Sequence, residues 1–183
     1  MEATRLIPGH VHPKAAIMQM AHIQMGVTVG ARTKVWQFAS LIRKAVIDED
    51  CTIAAFVMVD GATLGKRVLV GNGAFICPGT EIGDDVFFGP GARTCNDRWP
   101  SVSKEDFDVE ELVSGRVITV RIGSGASIGA GAIILPGVQV GAGARVAAGA
   151  VVKVSVPDGH LYKCSGEVVP IDLHRKNERM RPV

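Results

Sequence analysis

The chain has 183 residues, enough for one sizeable domain, and 47% of them are hydrophobic although it contains 22 glycines and few aromatics. That mixture excludes a disordered chain, and a formal net charge of +2 gives no electrostatic basis for binding nucleic acid or an acidic membrane surface. No stretch approaches about 18 uninterrupted apolar residues, and the opening "MEATRLIPGHVHP" lacks a signal-peptide core, so a cytoplasmic protein without membrane insertion is expected.

From Val11 an aliphatic residue recurs every six positions, through Ile17, Ile23, Val29, Val35, Leu41, Ile47, Ile53 and Val59. The beat slips once, where "VDGAT" leaves five residues before Leu64. It continues as "LGKRVL", "VGNGAF", "ICPGTE", "IGDDVF" and "FGPGAR" to Arg93. A polar, acidic excursion over about 95–120 then interrupts it, and from Ile122 it resumes as "IGSGAS", "IGAGAI", "ILPGVQ", "VGAGAR" and "VAAGAV". A period of six fits neither a helix nor a simple strand alternation. It marks a β-solenoid, in which the aliphatic residue and the small residue three to four places on face inward. Glycine permits the tight corners between short strands. Three hexads make one triangular coil, which predicts about six or seven coils stacked roughly 4.8 Å apart. The expected organisation is a single domain over 1–183 with coils over 11–157 and an extruded loop over about 95–120. The last stretch, "HLYKCSGEVVPIDLHRKNERMRPV", leaves the beat, so 158–183 is expected to cap the prism as a strand or loop followed by a short charged helix.

The four cysteines, Cys51, Cys77, Cys95 and Cys164, form no CxxC pair and read as buried reduced thiols. The histidines are His10, His12, His22, His160 and His174, all in the first coil or beyond the last one. Three of them cannot converge on one ion in the central coils, so no metal is expected. The same gap leaves the central coils without a general base of the kind a hydroxyl acceptor needs. An amine attacks a thioester unaided, and a thiolate leaving group of pKa about 8.5 takes the proton afterwards. An amino acceptor is therefore favoured.

The hexad series resembles the hexapeptide-repeat acyltransferases. The resemblance implies an all-β, left-handed parallel β-helix that uses acetyl-CoA as co-substrate, with no permanently bound cofactor. It also implies a homotrimer with its sites at subunit interfaces. Within that class, "CNDRWP" after "VFFGPGART" is similar to the "TNDxYP" loop entrance of nucleotide-linked amino-sugar N-acetyltransferases. Those enzymes act on the 3-amino group of sugars destined for lipopolysaccharide or surface-layer glycans. "KVWQFASL", "VDGAT", "VGNGAF" and "SGASIGAGAIILPGVQVG" agree with the same subgroup. The chain departs from it at Cys95, at Trp99, and at "KCSGEV", which stands where many relatives have a "GNPA"-like turn.

The resemblance implies a role for each matching residue. Asn72 contacts the reacting amino group, or else serves as an asparagine in a left-handed corner. Asp97 attracts or orients the sugar ammonium and Asn96 hydrogen-bonds the sugar, or the pair simply opens the loop as an Asx turn. Trp99 covers a base or pyranose ring, or anchors the loop on a neighbouring prism. The pantetheine of coenzyme A runs along the amides of Gly125, Gly131, Ala132 and Ala148, with Lys153 and Arg145 near its phosphates. Two other readings stay open: a sugar O-acetyltransferase and a non-catalytic β-helix scaffold.

Overall fold

The computed structural model describes residues 9–103 and 108–171. Short strands, mostly two residues long, alternate with corners, and nearly all pair in parallel with the strand one coil away. Three parallel sheets result, the faces of a prism. The first face has nine strands from Ala16–Ile17 to Val168–Pro170, the second has seven from His22–Ile23 to Val151–Val152, and the third has six from Thr28–Val29 to Gln139–Val140. The first face carries more coils, about eight, than the sequence period alone predicts.

The register shows how sequence length sets the coil. Most partners stand three hexads apart, as Ala16 and Lys34 do. The five-residue unit shortens its coil and so pairs Ile47 with Leu64. Partners across the loop, such as Thr80 and Val120, are separated by more sequence than two ordinary coils contain, because the whole excursion is inserted between them. The parallel ladder also runs past the expected end at 157. Leu161 and Tyr162 pair with Arg145 and Val146 in a second shortened coil. His160–Tyr162 then turns back as an antiparallel pair with Val168–Pro170, which closes the first face. The expected short charged helix falls on 172–183, outside the described residues.

Inside the prism the aliphatic series is buried to 4% exposure or less from Val29 to Val152. The alternate inward positions hold Ala39, Ala45, Cys51, Ala74, Ala92 and Ala132, small enough to fill the triangle between the larger side chains. Cys51 is thus a packing residue. Two threonines break the series at the root of the loop. Thr94 takes an aliphatic position and its hydroxyl lies 2.9 Å from that of Thr80, while the Cys77 amide donates to the same oxygen at 2.9 Å. The buried polar groups there are satisfied before the chain leaves the prism.

The loop folds back onto its own prism. Asp108 caps a five-residue helix, Val109–Val113, by accepting from the amides of Glu110 and Glu111. Leu112 is buried at the corner between the second and third faces, where a β-carbon at Gly79 would lie 2.8 Å from its Cδ2. Val113 meets Gly61 one coil earlier in the same way. The Arg98 guanidinium donates to the carbonyl of Pro136 at 3.3 Å, so the loop grips this second corner on both sides of its departure.

Candidate active site

The corner between the first and second faces is built from three residues after each inward aliphatic. After Val70 these are Gly71, Asn72 and Gly73. A β-carbon at Gly71 would lie 2.5 Å from the Pro90 nitrogen of the next coil, so the first place must be glycine. Gly73 takes the left-handed conformation, φ 66°, and Asn72 does not. The corner therefore gives no conformational reason for an asparagine at 72. Its carboxamide is exposed and makes no hydrogen bond within the described residues, while its backbone carbonyl accepts from the Gly91 amide at 2.9 Å.

Asn72 edges a groove of about 470 Å³ whose apolar walls include Trp36, Leu69, Phe87 and Pro90. Leu69 and Phe87 point outward from the first face, at positions where neighbouring coils present Thr52, Ser127 and Arg145. Large apolar residues at outward places in the alternation were the sequence signal for this groove. The same corner carries Phe38 and Phe56 on successive coils, both left-handed at φ 61° and 51% and 64% exposed. Their rings stack with centroids 5.1 Å apart and planes 10° from parallel. Left-handed backbone costs a non-glycine residue about 1–2 kcal/mol, and one stacked pair returns about 0.5–1.5 kcal/mol. The stack alone does not offset two strained phenylalanines.

The remaining site candidates are distributed around the prism. Asn96 and Asp97 leave the far edge of the second face, across that face from Asn72, so a single chain does not bring Asp97 to the asparagine. One Asp97 carboxylate oxygen accepts from the Trp99 amide at 2.8 Å, forming an Asx turn. The Trp99 ring is 87% exposed. Gly131, Ala132 and Ala148 continue the corner of Asn72 toward the C-terminus, and Arg145 points outward from the adjoining first face. Gly125 sits on the corner between the third and first faces, and Lys153 is exposed at the end of the second face. The amides of Gly125, Gly131 and Ala132 donate to the carbonyls of Asp84, Pro90 and Gly129 within the solenoid.

The titrating groups bear on the chemistry. Burial pushes the Cys77 thiol up to about 12 and also raises that of Cys95, so neither is a ready thiolate. Cys164 is exposed and donates to the carbonyl of Ala148 at 3.0 Å. Asp60, buried on the second corner, has one carboxylate oxygen without a hydrogen bond, 3.4 Å from Arg43 Nε. Burial raises its carboxyl above the usual range and Arg43 opposes that. Among the described residues no group of three or more His, Cys, Asp or Glu is placed to hold a metal ion, and no helix is long and apolar enough to cross a membrane.

With this geometry in view, the chain was compared with known proteins. Residues 61–96 and 119–153 match the bacterial transferase hexapeptide (six repeats), and the gap in the match falls on the extruded loop. The bifunctional protein GlmU of Baumannia cicadellinicola subsp. Homalodisca coagulata is 31% identical over 128 residues, 67% of this chain and 25% of that protein. The chain thus spans about a quarter of the length of the curated relatives it matches. A hexapeptide transferase family protein from Anaplasma phagocytophilum shares the fold with a TM-score of 0.56 and 16% identity, over 90% of this chain and 80% of that one. A GDP-perosamine N-acetyl transferase from Caulobacter crescentus, in complex with CoA and GDP-perosamine, gives a TM-score of 0.51 and 18% identity, over 88% and 56%.

Proposed function

Because the chain is a hexapeptide-repeat protein, we propose that it is an acyltransferase that moves the acetyl group of acetyl-CoA onto the amino group of a nucleotide-diphosphate-linked amino sugar, at C3. The observation that carries this reading is Asn72, an exposed carboxamide without a hydrogen bond at the edge of an apolar groove, in a stretch with no histidine from 23 to 159. The perosamine N-acetyl transferase, solved with CoA and a nucleotide sugar, has the same fold and is consistent with the reading.

In the proposed mechanism both substrates bind together. The neutral amine attacks the thioester carbonyl carbon, a C–N bond forms, the C–S bond breaks, and the coenzyme A thiolate leaves and takes up the amine proton. Asn72 accepts a hydrogen bond from the amine as charge develops on nitrogen. A backbone N–H meets the carbonyl oxygen as it becomes an oxyanion. An acyl-enzyme is not part of this route, since the Cys77 and Cys95 thiols are held protonated by burial. The coenzyme lies along Gly131, Ala132 and Ala148. These contribute clearance for the pantetheine more than amide donors, because the amides of Gly131 and Ala132 are already engaged. Arg145 and Lys153 are assigned to its phosphates, and Gly125 belongs to this channel only if it faces a neighbouring chain.

The site is completed by two further copies of the chain. Asp97, Asn96 and Trp99 lie across a face from Asn72, and the Trp99 ring lies open, so a neighbouring prism's loop supplies them to the groove. The exposed Trp36, Phe38, Phe56, Leu69 and Phe87 along the Asn72 corner are the apolar surface expected of such an interface. The test screens UDP- and dTDP-linked 3- and 4-amino sugars with acetyl-CoA, following released thiol, alongside light scattering. A 3-amino sugar as best acceptor and a trimer are expected. Turnover with none of them, or a monomer at micromolar concentration, overturns the reading.

A further inference from the structure

The corner column that contains Gly73 has a pattern that the proposed reaction does not yet use. Reading along the coils, its left-handed position is filled by Met20, Phe38 and Phe56 and then by Gly73, Gly91, Gly131 and Gly149. Phe38 lies against one face of the Phe56 ring, at a spacing close to the coil repeat. The other face of Phe56 therefore looks toward the next coil. There, nothing lies within 4 Å of where a β-carbon on Gly73 or Gly91 would stand. The ring column ends as a flat apolar wall above an open ledge, and the exposed Asn72 forms the ledge's edge.

We propose that the open face of Phe56 is the platform on which the pyranose ring of the acceptor stacks, setting its amino nitrogen against Asn72. This inference rests on the amino-sugar reading given above. The ledge has space for one more ring in the stack, and a pyranose presents a flat C–H face that packs on the electron-rich face of an aromatic ring. Its polar rim would meet the Asn72 carboxamide, which an apolar side chain from a neighbouring subunit would leave unpaired. A nucleobase on Phe56 would put the sugar a whole diphosphate bridge away from Asn72, out of reach of the reacting nitrogen. Phe56 is a positioning residue here: it touches the sugar but takes no part in bond making.

The backbone supplies a clean test. Because Phe56 is left-handed and the same column elsewhere holds glycine, Phe56→Gly removes the ring while relieving the backbone. The variant is expected to melt no more than slightly below wild type and to keep its oligomeric state. With an amino sugar that the wild type acetylates, KM for the sugar should rise about tenfold, while kcat and KM for acetyl-CoA stay within about twofold. The same loss should appear with the methyl glycoside of that amino sugar, and Phe56→Trp should restore binding. An unchanged KM refutes the platform, and so does a loss seen with the nucleotide sugar but not with the glycoside, which would place the base on Phe56. Dissociation of the assembly in Phe56→Gly also refutes it, by making the ring a subunit contact. If the wild type acetylates no amino sugar, the functional reading falls and takes this inference with it. An active wild type with an unaffected Phe56→Gly refutes the inference alone.

Discussion

Replacing Asn72 with alanine separates chemistry from folding at a single position. The side chain is exposed, makes no hydrogen bond within the described residues, and sits on backbone outside the left-handed region. Stability should therefore change by no more than about 0.5 kcal/mol. If the carboxamide accepts from the amine as positive charge develops, its loss removes a charge-assisted hydrogen bond of about 1.5–3 kcal/mol. That corresponds to a fall in kcat/KM of roughly 10- to 150-fold. The assay is thiol release from acetyl-CoA with the amino sugar varied, paired with calorimetric binding of coenzyme A, which should be unchanged, and a thermal melt. Gly71→Ala is the structural control. Its β-carbon would stand 2.5 Å from the Pro90 nitrogen, so it should lower the melting temperature clearly. Wild-type kinetics in Asn72→Ala would refute the role, and a melting temperature lowered as in Gly71→Ala would show that the asparagine serves the corner.

Asp97 performs two tasks that can be split. Asp97→Asn keeps an oxygen for the Trp99 amide and removes the charge, whereas Asp97→Ala removes both; if the charge matters, both lose about tenfold or more in kcat/KM, and an unimpaired Asn variant shows that only the turn does. The rate should rise with pH and level off at the pKa of the acceptor amine, and His22→Asn and His12→Asn should leave this profile intact. The matching hydroxyl sugar should bind without turning over, and its efficient acetylation would move the protein to the O-acetyltransferase branch. Asp60 is a stability lever: its folded carboxyl is raised by burial, so ionisation disfavours the fold as pH rises above about 4. Asp60→Asn should melt above wild type at pH 7, with the gain fading as pH falls toward 4, and a lower melting temperature at pH 7 would show that the Arg43 pairing outweighs burial.

The repeat was legible because its cause is local. Every sixth residue from Val11 must fill the same triangular interior, so Ile47, Ile53 and Ile76 announce their positions without knowledge of their neighbours. The slip at "VDGAT" and the break after Thr94 were visible for the same reason. The histidine-free stretch from 23 to 159, which favours an amine over a hydroxyl acceptor, is also a property of the sequence itself.

What lies beside what on the outside was settled by stacking. The length of each coil decides which outward side chains become neighbours, and every shortening or insertion shifts a whole column. The pairing of Tyr162 with Val146 depends on a shortening that the six-residue beat does not mark. The face-to-face contact of Phe38 and Phe56 joins residues on successive coils that no local pattern links. The loop's return onto Gly61 and Gly79 leaves Asp97 across a face from Asn72. In a solenoid the inward positions are fixed by a period that each hexad carries in itself, whereas the outward surface is assembled from residues a full coil apart.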